Sequence, residues 1–186
     1  MSFGFIALVQ SRTGISTYLC NSQPARTDRP SMAAKAIPDG YHSVTPYLIV
    51  DGAARAIEFY RQAFGATELY RLPGPGGSVA HAEVDIGNSR IMLADGAPEA
   101  MAKSPTALGG TSIGLVIYTE DADALFDRAV AAGATVTRPL ATQFYGDRTG
   151  TVKDPFGHQW TLATHVEDVS PEEMNRRLSA MMGSSG

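Results

Sequence analysis

The sequence predicts an α+β fold built from two β-α-β-β-β units and followed by a short C-terminal helix. Three observations lead to this prediction. The composition is that of a folded domain, a helical segment is duplicated further along the chain, and the order of strand and helix patterns is the same around both copies.

The composition is typical of a globular protein and excludes several function classes. Of the 186 residues, 44% are apolar and 18% are charged. The net charge is −4 and the chain has no Lys/Arg-rich run, so we expect no binding to nucleic acid or to a membrane surface. The single cysteine, Cys20, excludes an internal disulfide and a cysteine-cluster metal site, which indicates a reducing, cytoplasmic location.

Residues 1–37 differ in character from the rest of the chain and are left out of the fold prediction. The stretch "SFGFIALV" is too short to span a membrane, and no basic residue precedes it as in a signal peptide. The polar stretch that follows contains three arginines and one acidic residue. We expect a disordered leader or a start codon upstream of Met32, with a targeting segment as the third alternative.

The duplication is clearest where two helical patterns end in the same tripeptide. "AARAIEFYRQAFGAT" ends in Gly-Ala-Thr beginning at Gly65, and "ADALFDRAVAAGAT" ends in Gly-Ala-Thr beginning at Gly133. Glycine at this place supplies the left-handed conformation that terminates a helix. We therefore expect one domain over residues 38–167, with units at about 43–95 and 111–165.

Each unit contains four strand patterns. In the first unit the strands are "TPYLIV", "TELYRL", "VAHAEVDIG" and "RIMLA". In the second they are "SIGLVIYT", segments around "TVTRPL" and "GTVKD", and "HQWTLAT" after the turn "DPFG", with the helix beginning near Asp121 or Asp123. "SPTALGG" is interpreted as the linker between the units.

The tail, residues 168–186, predicts a short helix. Ser170 and Glu173 form a capping box, and Pro171 stands at the first helical position. The apolar stripe of this helix needs a surface to cover, either in its own domain or in a partner subunit.

These patterns resemble the vicinal oxygen chelate superfamily, which contains glyoxalase I, bleomycin-resistance proteins and extradiol dioxygenases. The resemblance covers about residues 41–167 and rests on the duplication, on "YLIVDGAARAIEFYRQAFGA" and on "DPFGHQWTL". "PYL", "HAE" and "FYGDR" are similar to its uncharacterised glyoxalase-like branch. The resemblance implies a curved half-barrel sheet around a cavity, a homodimer and a small-molecule ligand.

The resemblance also implies where a metal would be held. Enzymes of the superfamily usually take ligands from four strands, and the matching positions here are Thr45, Met92, Gly114 and Thr161. None of these side chains is a ligand for zinc, nickel or iron, which prefer imidazole, carboxylate or thiolate. We therefore expect no metal and no other cofactor.

The strand "VAHAEVDIG" holds the candidate catalytic residues. Alternation predicts that Ala80, Ala82, Val84 and Ile86 face the helix and that Val79, His81, Glu83 and Asp85 face the cavity. His81 and Glu83 could form an acid–base pair, line the cavity, or join His165 in a non-standard metal site. Alternatively, they are ordinary polar residues on a solvent-facing strand.

Candidate ligand-binding residues lie on other strands and on one loop. Arg90 and Met92 are expected to face the cavity, where Arg90 could neutralise Glu83 or hold a ligand's carboxylate or phosphate. The other predicted cavity-facing residues are Thr161 and His165 on the last strand.

"QFYGDRTG" is predicted to be a loop between two strands. Its Tyr145 could stack on a flat ligand and its Arg148 could bind an anionic group. Alternatively, Asp147 and Arg148 pair to stabilise the loop, and Phe144 and Tyr145 pack on the core.

The sequence is compatible with two functions. The first is a protein that binds a small, aromatic or anionic molecule without chemistry. The second is a glyoxalase-type lyase, isomerase or dioxygenase that uses a non-standard metal site or the pair of His81 and Glu83.

Overall fold

The computed structural model describes residues 34–97 and 102–183 and confirms the predicted α+β fold. The interpretation of the leader falls almost wholly on residues 1–33, outside the described residues. The strands and helices, in chain order, are β1 (Tyr47–Val50), α1 (Ala53–Phe64), β2 (Thr67–Pro73), β3 (Val79–Ile86), β4 (Ser89–Asp95), α2 (Pro105–Leu108), β5 (Gly114–Tyr118), α3 (Ala122–Ala131), β6 (Thr135–Thr142), β7 (Asp147–Lys153), β8 (Gln159–His165) and α4 (Pro171–Gly183).

Each unit forms its own four-stranded mixed sheet. The strand order is β1-β4-β3-β2 in the first sheet and β5-β8-β7-β6 in the second. In both sheets the first and last strands of the unit are parallel neighbours, and the other pairs are antiparallel. The matching topology confirms the duplication. Both sheets are curved and open, so β1 and β5 are edge strands.

Helix α1 is fixed at both ends by features of the sequence. Gly65 ends it with a left-handed conformation (φ 70°). Gly52 begins it without a capping side chain, and Asp95 on β4 instead accepts the amides of Gly52 and Ala53, each at 2.7 Å. The second oxygen of Asp95 accepts the amide of Val79, also at 2.7 Å. One carboxylate therefore links α1, β3 and β4.

Asp121 is the N-cap residue of helix α3 and is one of the two start positions that the sequence predicted. The Asp121 side chain accepts the amide of Ala124 at 2.9 Å. Thr164 on β8 accepts the amide of Ala122, also at 2.9 Å. The last strand of each unit thus contributes a side chain to the start of that unit's helix.

Both units contribute to one apolar core. Trp160 on β8 lies against two rings of α1, with centroids 5.4 Å from Tyr60 and 4.8 Å from Phe64. Trp160 and Tyr60 are almost completely buried. Because the helix-packed faces of both sheets meet this core, the opposite face of each sheet is left without cover from the core.

Asp154, in the turn before β8, is the buried polar centre of this core. It is only 2% exposed, and its Oδ1 accepts the amides of Phe156 and His158 at 2.9 Å each. Its Oδ2 accepts Tyr60 Oη and Trp160 Nε1, also at 2.9 Å each. Burial, together with the charge of Asp154, raises the pKa of Tyr60 well above its ordinary value, so the phenol stays a donor. One carboxylate joins the turn, β8 and α1.

The structure corrects three details of the sequence interpretation. Val79 is buried and Ala80 is exposed, the reverse of the prediction, because a register shift between Leu72 and Pro73 breaks the alternation in the partner strand. Asp147 and Arg148 lie in β7 and not on a loop. The predicted linker contains the single-turn helix α2, capped by Ser104.

The C-terminal helix α4 is present as predicted. Ser170 Oγ accepts the amide of Glu173 at 3.3 Å, and Arg177 binds Glu167 and the carbonyl of Phe144. Leu178 lies on a largely exposed side of the helix. No helix among the described residues has the length and apolar character needed to cross a membrane.

We expect Asp154→Ala to lower the free energy of unfolding by about 3–5 kcal/mol, because it leaves four buried donors without an acceptor. Tyr60→Phe removes one donor and should cost about 1–2 kcal/mol. Asp127→Ala, at an exposed position of α3, is the control and should change little. Urea unfolding measures all three, and a loss below about 1 kcal/mol for Asp154→Ala would contradict the assigned role.

Candidate ligand-binding faces

The first face is the surface of the first sheet that is turned away from α1. Strand pairing places Tyr47, Met92, Glu83 and Tyr70 in one row across its four strands. Residues paired in this way lie on the same side of a sheet, with Cβ atoms about 5 Å apart. Tyr47 and Tyr70 are about half exposed, whereas Glu83 is 5% exposed at the base of the row.

His81 lies between the two tyrosines of the first face. Its Nδ1 is 3.1 Å from Tyr47 Oη, and its Nε2 is 3.3 Å from Glu83 Oε1. Its ring centroid is 5.5 Å from that of Tyr47 and 5.8 Å from that of Tyr70. The arrangement is an aromatic cluster above a buried carboxylate.

Glu83 is held as a carboxylate. Burial raises its pKa, but hydrogen bonds from Tyr41, His81 and Tyr70 and the charge of Arg90 outweigh that effect, so the pKa lies below its ordinary value. At neutral pH the residue is therefore an ionised hydrogen-bond acceptor.

Arg90 is already engaged by neighbouring groups. Its Nε lies 3.1 Å from Asp85 Oδ1, and its guanidinium lies 3.7 Å from Glu83 Oε2. The ring of Tyr41 covers the guanidinium at 4.5 Å, and the carbonyl of Asp39 accepts a further hydrogen bond at 3.3 Å. Arg90 thus shares its single positive charge between two carboxylates, and its side chain is only 15% exposed.

The second face is the surface of the second sheet that is turned away from α3. Pairing places Val116, Thr161 and Thr151 in one row, and Thr151 Oγ1 lies 3.1 Å from Thr161 Oγ1. Val116 and Tyr118 on the edge strand β5 are largely exposed. This face is apolar at its free edge and polar towards β7.

A cluster around Asp147 forms the polar end of the second face. Asp147 is 6% exposed and accepts Tyr118 Oη at 2.8 Å and His165 Nδ1 at 2.7 Å. His165 Nε2 lies 3.0 Å from Asp168 Oδ1. Hydrogen bonds to Asp168 and Asp147 raise the pKa of His165, and the bond to Asp147 raises the pKa of Tyr118. From the sequence, Asp147 is expected only as a possible partner of Arg148. Its position opposite His165 in the pairing of β7 with β8 is the signal that could have revealed this cluster.

The residues of "QFYGDRTG" do not act as one group. Arg148 forms a bidentate ion pair with Asp123 of α3, on the helix-packed side of the sheet. Tyr145 is half-buried in the hairpin, with its ring 5.3 Å from Phe144. The structure therefore brings His81, Glu83, Arg90 and Met92 together on the first face and Thr161 and His165 on the second.

The side chains at the superfamily's metal positions do not fit a metal. Strand pairing places Tyr47 opposite Met92 and Val116 opposite Thr161, two residues beyond the predicted Thr45 and Gly114. With either set, these positions lack a pair of imidazole or carboxylate ligands. In the part of the chain that the structure describes, no three His, Cys, Asp or Glu residues are grouped to hold a metal ion.

A cavity of about 620 Å³ lies beside the free edge of β5. It is bounded by residues 42–46, the β3–β4 turn and β5. Of the predicted ligand-binding residues, Arg90 lines it. His81, Glu83, Asp147 and His165 do not line it. Most of the candidate residues on the two faces therefore lie outside this cavity.

Comparisons with known proteins agree with this architecture. A model of the Glyoxalase/Bleomycin resistance protein/Dioxygenase superfamily matches residues 40–162. Uncharacterized protein Rv0887c of Mycobacterium tuberculosis is 44% identical over 141 residues, which are 74% of this chain and 83% of that protein.

Two solved structures share the fold at moderate identity. TioX from Micromonospora sp. ML1 is 28% identical with a TM-score of 0.53, and the match covers 66% of this chain and 98% of TioX. A gene product of Arabidopsis thaliana is 27% identical with a TM-score of 0.56, over 66% of this chain and 98% of that one.

Proposed function

The chain belongs to the Glyoxalase/Bleomycin resistance protein/Dioxygenase superfamily, and on that premise we propose that it binds a small aromatic or anionic molecule without the superfamily's metal. The observation that carries the proposal is the exposed aromatic cluster of Tyr47, Tyr70 and His81 above the buried Glu83. Aromatic rings on an open sheet face give a flat ligand a large contact area, and a buried carboxylate gives it a fixed polar partner.

Each face offers its own candidate ligand contacts. Met92 and Glu83 provide the floor of the first face, and Arg90 contributes its charge from the side. Thr161 and His165 provide polar contacts on the second face, with Tyr145 in the neighbouring hairpin as a more distant contributor. The predicted contribution of Arg148 is wrong, because this side chain pairs with Asp123 on the opposite side of the sheet.

We propose that a second copy of the chain covers these faces, giving a homodimer. A monomer leaves Tyr118 64% and Val116 57% exposed on β5, and no strand among the described residues pairs with the free edge of β5. Strand β5 contains no proline and no charged residue, which are the residues that commonly protect a free sheet edge. An exposed apolar edge of this kind is typical of an interaction surface.

A metal-free enzyme is the second candidate, and one contact favours it. His81 Nε2 lies 3.3 Å from Glu83 Oε1, within reach for a carboxylate that orients an imidazole. In that case His81 would exchange a proton with a substrate held on the first face.

We expect naphthol to bind to the purified protein and decalol, its saturated counterpart, to bind much more weakly, because only the flat ring can stack on the tyrosines. Tyr70→Ala should weaken naphthol binding by roughly tenfold. Val130→Ala, which truncates an exposed apolar residue on α3, should have no effect. Isothermal titration calorimetry measures each affinity, and equal binding of naphthol and decalol would overturn the aromatic-binding proposal.

We expect the purified chain to have twice its monomer mass by light scattering at micromolar concentration. Val116→Glu should convert it to a monomer, because a charge would then be buried against the covering copy. Val130→Glu introduces the same charge on α3 and should leave the dimer intact. A monomeric wild-type chain would rule out the homodimer.

A further inference from the structure

His165 is held in one orientation by a buried carboxylate. Asp147 accepts His165 Nδ1 at 2.7 Å with one oxygen and Tyr118 Oη at 2.8 Å with the other. Because Nδ1 is fixed as a donor to Asp147, Nε2 is the ring nitrogen that is left for a second partner. Asp147 is 6% exposed, so this support does not depend on a mobile surface group.

The contact at Nε2 is of a different kind. Asp168 lies 3.0 Å from Nε2, yet its side chain is fully exposed in the segment between β8 and α4. The structure gives Asp168 one partner among the described residues, the His165 ring. Exposed ion pairs contribute little stability, so this carboxylate leaves at small cost. Nε2 therefore has a carboxylate partner that another carboxylate can replace.

We propose that His165 Nε2 is the docking point for the carboxylate of an aromatic acid and that Asp168 is an internal competitor for this point. The inference rests on the proposed function and names the ligand's polar group. Nε2–H donates to the incoming carboxylate while Nδ1–H remains on Asp147, and no covalent bond changes. One carboxylate replaces another, so the imidazolium keeps two acidic partners. The exposed ring of Tyr118, bonded to the same Asp147, offers the ligand's ring a surface beside this point.

The geometry favours an acid over an amine at this place. An ammonium group would be drawn to Asp147, but both oxygens of that buried carboxylate already accept strong hydrogen bonds. It would also meet the positive charge of His165, whose pKa is raised by Asp168 and Asp147. On the first face, Arg90 is engaged by Asp85 and Glu83, so it offers an acid less than His165 does.

The test compares naphthoate with naphthamide by calorimetry at about pH 6, where a histidine with a raised pKa is mostly charged. Naphthoate should bind roughly tenfold more tightly, because only it forms a charge-assisted bond with Nε2. His165→Gln should abolish that preference, because it removes the charged donor that only naphthoate pairs with. Asp168→Ala should strengthen naphthoate binding roughly two- to fivefold by removing the competitor.

Asp127→Ala is the matched control, because it removes an exposed negative charge on α3 and should not change naphthoate binding. Equal affinity for naphthoate and naphthamide would overturn the docking point while leaving aromatic binding in place. Weaker naphthoate binding by Asp168→Ala, or tighter binding of naphthylmethylamine than of naphthoate, would overturn it as well. If neither naphthoate nor naphthol binds, the proposed function is wrong together with this inference.

Discussion

The structure depends on one buried carboxylate, that of Asp154. It accepts two amides of its own turn, the indole of Trp160 and the phenol of Tyr60, so a single charge connects the second sheet to the helix of the first unit. A buried carboxylate with unfilled acceptor positions is disfavoured, so Asp154 favours the packing that brings the Tyr60 hydroxyl of the first unit to it. That arrangement directs the helix-packed side of each sheet to the shared core. The faces that remain outside are the ones that carry His81 and Glu83 on one sheet and His165 on the other.

The two faces use similar chemistry in different ways. On each, a carboxylate at the base of the sheet is shielded from solvent and bound to a histidine and to tyrosine hydroxyls. On the first face, Arg90 lies beside Glu83 and Asp85, so part of their negative charge is balanced within the cluster. On the second face, His165 Nε2 contacts the exposed Asp168, and another acceptor could replace Asp168 there. An aromatic ring would suit the first face, whereas an acidic group would suit the exchangeable contact on the second.

The sequence predicted the fold well because its signals are local and repeated. The Gly-Ala-Thr helix ends, the "DPFG" turn and the alternating strands each depend on neighbours along the chain, and the helix ends and strand patterns occur in both units. The site was harder to predict, since strand pairing determines it. The partnership of Asp147 with His165 spans two strands, and the engagement of Arg148 by Asp123 depends on where α3 packs. The displacement of Val79 and Ala80 required a bulge that the composition of β3 does not reveal.

The central claim is that the sheet faces of this superfamily member carry side chains that do not hold the superfamily's metal. Elemental analysis tests it most directly. The purified protein is incubated with Zn²⁺, Ni²⁺ or Fe²⁺, passed through a desalting column and measured for bound ion. The account predicts far less than one ion per chain, with His81→Ala indistinguishable from the wild-type chain. One tightly held ion per chain that disappears in His81→Ala would contradict it.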